Sequence, residues 1–143
     1  MEMATVMRSV IKTKTPARTI LTCDAAGFAG CPPGIYQHGS GRFEVLADGR
    51  IVIAGQDQLL AGSTLATETC VANAMSLGGV SLRDAVDMAG RYPARLFGLE
   101  EIRLARGSRA DFFIFSMTPK GEKLQVLATV AAGMLRFGNL PVC

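Results

Sequence analysis

The chain has no tryptophan, few aromatic residues (6%) and one histidine among its 143 residues. A metal centre held by protein side chains needs three or four donors, and His38 alone cannot supply them. The four cysteines, Cys23, Cys31, Cys70 and Cys143, include no C-x-x-C pair. That excludes the paired-thiol motifs of zinc and redox sites and leaves buried, reduced thiols of a cytosolic protein as the expectation. No apolar run reaches the ~18 residues of a membrane span. The start, Met1-Glu-Met-Ala, has neither a basic n-region nor an apolar h-region. Charge of one sign is also scarce: the net charge is +3, and the basic residues are scattered among acids. Only Arg103, Arg106 and Arg109 approach a patch, without an aromatic stacking surface beside them, so a nucleic-acid partner is not expected.

What is present is a globular composition, 49% hydrophobic and 19% charged. The length suits one domain or pieces of two. Met3, Val6, Met7, Val10 and Ile11 recur at helical spacing and predict an amphipathic helix over about 2–13, closed by Thr15-Pro16. It starts almost at the first residue without a cap, which reads as a cut chain. Residues 18–23 predict a buried strand. A Gly/Pro-rich loop follows from Ala25 to Gly34, and Tyr36-Gln37 begins a candidate strand. Phe43–Ala47 and Arg50–Ala54 flank Asp48-Gly49, a two-residue hairpin signal.

Ser63 is positioned as the N-cap of a helix whose stripe is Ala66, Cys70, Val71, Ala74 and Met75, stopped by Gly78-Gly79. Ser81 with Asp84 predicts a second capped helix, with Leu82, Ala85, Val86 and Ala89 inward. Pro93 suits the first turn of a third, ending at Gly98. After residue 100 the chain turns β-rich: Asp111–Phe115, Leu124–Ala131, then a turn at Ala132-Gly133 into Met134–Phe137. A complete eight-stranded α/β barrel needs about 250 residues, so these parts do not close one. There is no internal repeat and no low-complexity segment.

Asp24 ends the run Arg18-Thr-Ile-Leu-Thr-Cys-Asp24 just before the small residues Ala25-Ala-Gly-Phe-Ala-Gly30. A carboxylate delivered by a strand end to a glycine-rich mouth is a candidate acid or base; equally, Asp at a strand end can cap the turn that follows. Gly62, in Leu60-Ala-Gly-Ser-Thr-Leu65, permits close backbone approach of a ligand. The N–H groups at Ser63-Thr64 suit an anionic or hydroxyl oxygen if a helix starts there, and plain helix capping explains Ser63 as well. His38, in Gln37-His-Gly-Ser-Gly41, reads as a solvent-exposed loop residue. Cys23 reads as a packed thiol, and the helix-face methionines as core filler.

The order of motifs resembles the C-terminal part of the N-acetylglucosamine-6-phosphate deacetylase family, a branch of the amidohydrolase superfamily. The matching pieces are Ile20-Leu-Thr-Cys-Asp-Ala25, Pro33-Gly34, Asp48-Gly49, Leu60–Leu65, Gly79-Val-Ser-Leu82 with Ala85, Tyr92-Pro-Ala-Arg95 with Gly98-Leu99, Gly107-Ser-Arg-Ala-Asp111 and Val130-Ala-Ala-Gly133. Each is weak alone; the ordered set covers nearly the whole chain.

The resemblance implies an α/β fold (α+β in isolation). Residues 1–101 would be the C-terminal end of a TIM barrel, with its last strand, a hairpin insertion and helices. Residues 102–143 would be strands of a small β-sandwich domain. It further implies a cytoplasmic, metal-dependent hydrolase, zinc being the expected ion, that removes the N-acetyl group of an amino-sugar phosphate. Asp24 matches the acid/base that takes a proton from metal-bound water and passes it to the leaving amine. Leu60, Ala61 and Gly62 match a substrate-contacting loop, and Arg95 and Asp111 match structural positions. The family's metal and phosphate ligands match nothing here. The expectation is therefore an inactive chain without metal of its own, whose exposed apolar surface makes it a homo-oligomer. The alternatives are a non-catalytic oligomeric module derived from such an enzyme, and an amidohydrolase of different substrate.

Overall fold

In the computed structural model, which describes residues 3–101 and 103–140, the chain is a mixed α/β structure with two antiparallel sheets. It divides into two compact units. The smaller comprises residues 22–70; the larger comprises the chain up to Leu21 and from Val71 onward. Cys143 lies outside the described residues.

The smaller unit is a four-stranded meander. Strands β1 (Gly34–His38), β2 (Gly41–Val45), β3 (Arg50–Ile53) and β4 (Gln56–Ser63) pair in sequence order, each antiparallel to the next. The hairpin at Asp48-Gly49 forms, but not as the two-residue turn expected. Strand β2 stops at Val45, the Leu46 N–H donates to the Arg50 carbonyl at 2.9 Å and the Gly49 N–H to the Leu46 carbonyl at 3.0 Å, so the loop is Ala47-Asp48-Gly49. Asp48 Oδ1 accepts the Arg50 N–H at 3.1 Å, and Gly49 adopts φ +84°, open to a residue without Cβ. The Arg50 N–H, and then its side chain, hold the Asp48 carboxyl below the ordinary carboxylate range. Val45, Ile51 and Val52 are the buried apolar residues of this unit.

The pairing of β3 with β4 is irregular. Ile51 faces Gly62 while Val52 faces Leu60, so Ala61 is an extra residue, a β-bulge that locally redirects the strand.

The larger unit begins with α1 (Met3–Lys14). Lys12 and Lys14 occupy its last turn, where cations suit the helix dipole, and Ile11 is its buried residue. The strand expected over 18–23 does not form: Pro16–Arg18 is a 3₁₀ turn, residues 19–24 lie in no strand, and Ile20 is 40% exposed. A barrel strand is held by ladder bonds on both sides. Here the Leu21 N–H is taken by the Met88 carbonyl at 3.0 Å, at the end of a helix rather than in a ladder.

Helix α2 (Thr67–Ser76) enters this unit at Val71. Helix α3 (Leu82–Ala89) starts on the Ser81 N-cap expected from sequence, although the Asp84 carboxylate bonds the Ser81 hydroxyl and not, as a capping box would, its N–H. Ser81 Oγ accepts the Asp84 N–H at 3.1 Å and donates to Asp84 Oδ2 at 2.8 Å. Helix α4 (Arg91–Leu96) holds Pro93 in its first turn.

Strands β5 (Phe112–Met117), β6 (Leu124–Ala131) and β7 (Met134–Gly138) form the second sheet in that order. The core joins Val71, Ala72 and Ala74 of α2, Ala85 of α3 and Leu124 of β6, flanked by Leu21, Val86, Phe115 and Val126 among others. Ala132 and Gly133 both have positive φ, +52° and +77°, as a tight two-residue hairpin turn requires. Asp111 Oδ1 accepts the Ala132 N–H at 2.7 Å, which holds the turn. That bond, followed by the ion pair with Arg109, keeps the Asp111 carboxyl below the ordinary range.

Candidate functional site

The residues singled out in the sequence fall together in the smaller unit. The link is a short crossing of backbone. The Ser63 N–H donates to the Asp24 carbonyl at 2.9 Å, and the Ala26 N–H donates to the Ser63 carbonyl at 3.1 Å. Ala25 and Ser63 thus form a parallel bridge. Asp24 thereby stands beside the end of β4, next to the bulge that carries Leu60, Ala61 and Gly62.

The crossing overturns one expectation from the sequence. Ser63 does not cap a helix; it ends β4, and its Oγ accepts the Leu65 N–H at 2.8 Å. Its own N–H is spent on Asp24, and the Thr64 N–H on the Gly49 carbonyl at 3.0 Å. Neither donor is free for an anion. The sheet and the bridge claim this backbone, so helix α2 starts only at Thr67.

Gly62 is required by the crossing. Its φ is +126°, and a Cβ there would lie 2.7 Å from the Ala26 Cβ and 3.2 Å from the Asp24 carbonyl oxygen. Close approach of backbone to backbone, rather than of a ligand to the loop, is what the missing side chain permits here.

Asp24 is exposed and has φ +51°, a left-handed conformation that Asp tolerates better than most residues. Its N–H donates to Thr22 Oγ1 at 3.3 Å. Among the described residues its carboxylate accepts no capping bond, so the turn after it is not held by its side chain.

A cleft of about 310 Å³ opens beside this crossing, lined by Ala26, Gly27, Phe28, His38, Phe43 and Ala61. Of the four site residues anticipated from sequence, Ala61 lines it. The walls were not anticipated. Phe28 stacks on Tyr36 at 5.4 Å between ring centroids, lies 5.5 Å from Phe43, and meets His38 edge-on at 6.4 Å. The signal was in the strands: Tyr36 and His38 are two apart and share a face of β1, and Tyr36 pairs with Phe43 across β2. His38 is exposed as expected, but it ends a strand instead of sitting in a loop.

Among the described residues, no three of His, Cys, Asp and Glu converge as metal ligands would. No helix described is long and apolar enough to cross a membrane.

Residues 17–136 match the family model described as "Amidohydrolase family". N-acetylglucosamine-6-phosphate deacetylase of Bos taurus is 32% identical over 122 residues, 84% of this chain and 28% of the relative. N-acetylgalactosamine-6-phosphate deacetylase of Escherichia coli O157:H7 is 38% identical over 96 residues, 66% of this chain and 25% of the relative. Among solved structures, a mutant of the Mycobacterium smegmatis N-acetyl-D-glucosamine-6-phosphate deacetylase, in complex with N-acetyl-D-glucosamine-6-phosphate, superposes with a TM-score of 0.79 at 31% identity. It covers 92% of this chain and 34% of the neighbour. The chain therefore spans roughly a quarter to a third of the length of these proteins.

Proposed function

Because the chain belongs to the amidohydrolase family, we propose that it is the C-terminal portion of a deacetylase that hydrolyses the N-acetyl amide of an amino-sugar 6-phosphate. The relatives carry both glucosamine and galactosamine names, so the reading stops at that substrate class. In it, residues up to 101 are the closing part of a TIM barrel and the β5–β7 sheet belongs to the accessory β-sandwich. Asp24 moves the proton, from the attacking water to the departing amine, as amide cleavage demands. Leu60, Ala61 and Gly62 bound the substrate.

The observation that carries this reading is the Ala25–Ser63 bridge. It sets the candidate acid against the candidate binding strand, beside an open cleft, with a carboxylate uncommitted to any cap.

The divalent ion that such an enzyme uses does not fit the residues present. Asp24 belongs to no group of three ligand-type residues among the described residues, and the cleft lining contributes a single imidazole, that of His38. Ligands for the ion belong to the remainder of a whole enzyme. The chain alone is thus proposed to be inactive. The exposed side chains Leu96, Phe97, Leu99 and Leu104, each more than 60% accessible, favour self-association.

Two experiments test the proposal. Purified chain supplied with zinc and N-acetylglucosamine 6-phosphate is expected to release no acetate; robust turnover would refute the dependence on missing ligands. Next, the chain replaces the matching third of the Mycobacterium smegmatis enzyme. That chimera is expected to deacetylate, and Asp24→Asn within it to lower kcat by roughly a thousandfold or more, as loss of a general acid/base does. Full activity in the chimera that carries Asp24→Asn would remove Asp24 from the chemistry. An inactive but folded parent chimera would favour the non-catalytic module.

A further inference from the structure

The smaller unit holds three thiols, Cys23, Cys31 and Cys70, that the deacetylase reading does not use, and two of them lie together. Cys23 precedes Asp24, and Cys70 ends the first turn of α2. Side chains join these two places twice. The Thr67 hydroxyl donates to Cys23 Sγ at 3.8 Å, across 44 positions of sequence. Cys70 Sγ donates to the Thr22 carbonyl at 3.8 Å, across 48. Thr67 and Cys70 are three apart on a helix and so share a face, and Thr22 and Cys23 are consecutive. Four residues thus form one small patch with a sulfur on each side.

We infer that Cys23 and Cys70 are a redox-active dithiol that closes to a disulfide when hydrogen peroxide is the oxidant. Both are free and half-buried in the structure. The segment that bears Cys23 belongs to no strand, so no ladder bonds of a sheet oppose the adjustment that disulfide geometry requires.

Burial, then the proximity of Cys23, then the charge of Glu68 push the Cys70 thiol up. That suits Cys70 to the second, resolving attack, and Cys23 is the sulfur that attacks the peroxide. The Cys23 sulfur takes one peroxide oxygen and becomes a sulfenic acid, while the other oxygen leaves as water. Cys70 sulfur then attacks the sulfenic sulfur: the S–S bond forms, the S–O bond breaks, and a second water leaves. Two thiols are oxidised and one peroxide is reduced.

The pairing does not depend on the role proposed for Asp24. If Asp24 does move the proton, the closed disulfide fixes the residue next to it.

The test is peptide mapping after treatment of the intact chain with one equivalent of hydrogen peroxide. The expected result is loss of two of the four thiols, a mass decrease of two hydrogens, and a linked peptide joining Cys23 to Cys70 that dithiothreitol releases. Cys31→Ser should keep the link. Cys23→Ser and Cys70→Ser should each abolish it, with unchanged far-ultraviolet circular dichroism. A link through Cys31 or Cys143, a bond between two chains, or oxidation that stops at a single sulfur would each overturn the inference.

Discussion

The two units are built differently. The larger is a layered core, in which α2 and α3 bury small side chains, Ala72, Ala74 and Ala85, against Leu124 of the sheet. The smaller is a meander with three buried branched residues, Val45, Ile51 and Val52, and it bears Asp24, the bulge at Ala61 and the aromatic cleft. Packing sets the first, and turns and backbone crossings set the second. The difference teaches where substitutions should act: on stability in the larger unit, and on site geometry in the smaller.

Met88 is fully buried. Met88→Ala removes a side chain from a filled site and should cost about 3 kcal/mol. Hydrogen exchange in α3 and β6 is expected to accelerate more than in β2 and β3; an equal acceleration in both units would erase the distinction. In the smaller unit, Gly62→Ala forces a Cβ against Ala26 at a positive φ and should cost about 2 kcal/mol. Its signature would be loss of amide protection at Ser63 and Ala26, with α3 unaffected; retained protection would show that the crossing tolerates a side chain. Ser81→Ala removes the side-chain cap of α3 and should cost about 1 kcal/mol in chemical denaturation. A null result there would mean that the helix is held by its buried face alone.

The smallest effect concerns acid. Asp111 titrates below its ordinary range in the folded chain, so the folded state binds fewer protons than the unfolded. The stabilisation is complete above the ordinary carboxylate range and drains away as pH falls through it towards the lower folded value. Asp111→Asn should flatten that acid slope of stability. Asp48→Asn should do the same for the smaller unit, since Asp48 is also lowered. A steeper slope in either variant would contradict the assignment. Asp48 is exposed, and the Arg109 that pairs with the half-buried Asp111 is exposed as well, so solvent screens both ion pairs and the changes should be small.

What was legible in the sequence was local. The Asp48-Gly49 hairpin, the Ser81–Asp84 cap and the β-rich tail each declare themselves within a few residues, and each forms. Two elements were misread because distant backbone decided them. Ser63 carries every sign of an N-cap, yet residues 24–26 and 49–51 compete for its surroundings and draw it into a strand. Residues 18–23 have the composition of a buried strand, but composition does not supply ladder partners, and Leu21 bonds a helix end instead. The motifs at Asp24 and Leu60–Gly62 could be found from residue order. That they meet, and that Phe28, His38 and Phe43 wall a cleft beside them, needed the register of β1 on β2 and the bulge in β4.

The left-handed twist at Asp24 has a further meaning. At φ +51° the backbone screens its occupants by stereochemistry before chemistry is considered. Glycine, asparagine and aspartate pass readily, while a β-branched or bulky residue does not. Of these three, only aspartate ionises. The position thus favours aspartate over glutamate, equal in charge, through a backbone cost on the order of 1 kcal/mol.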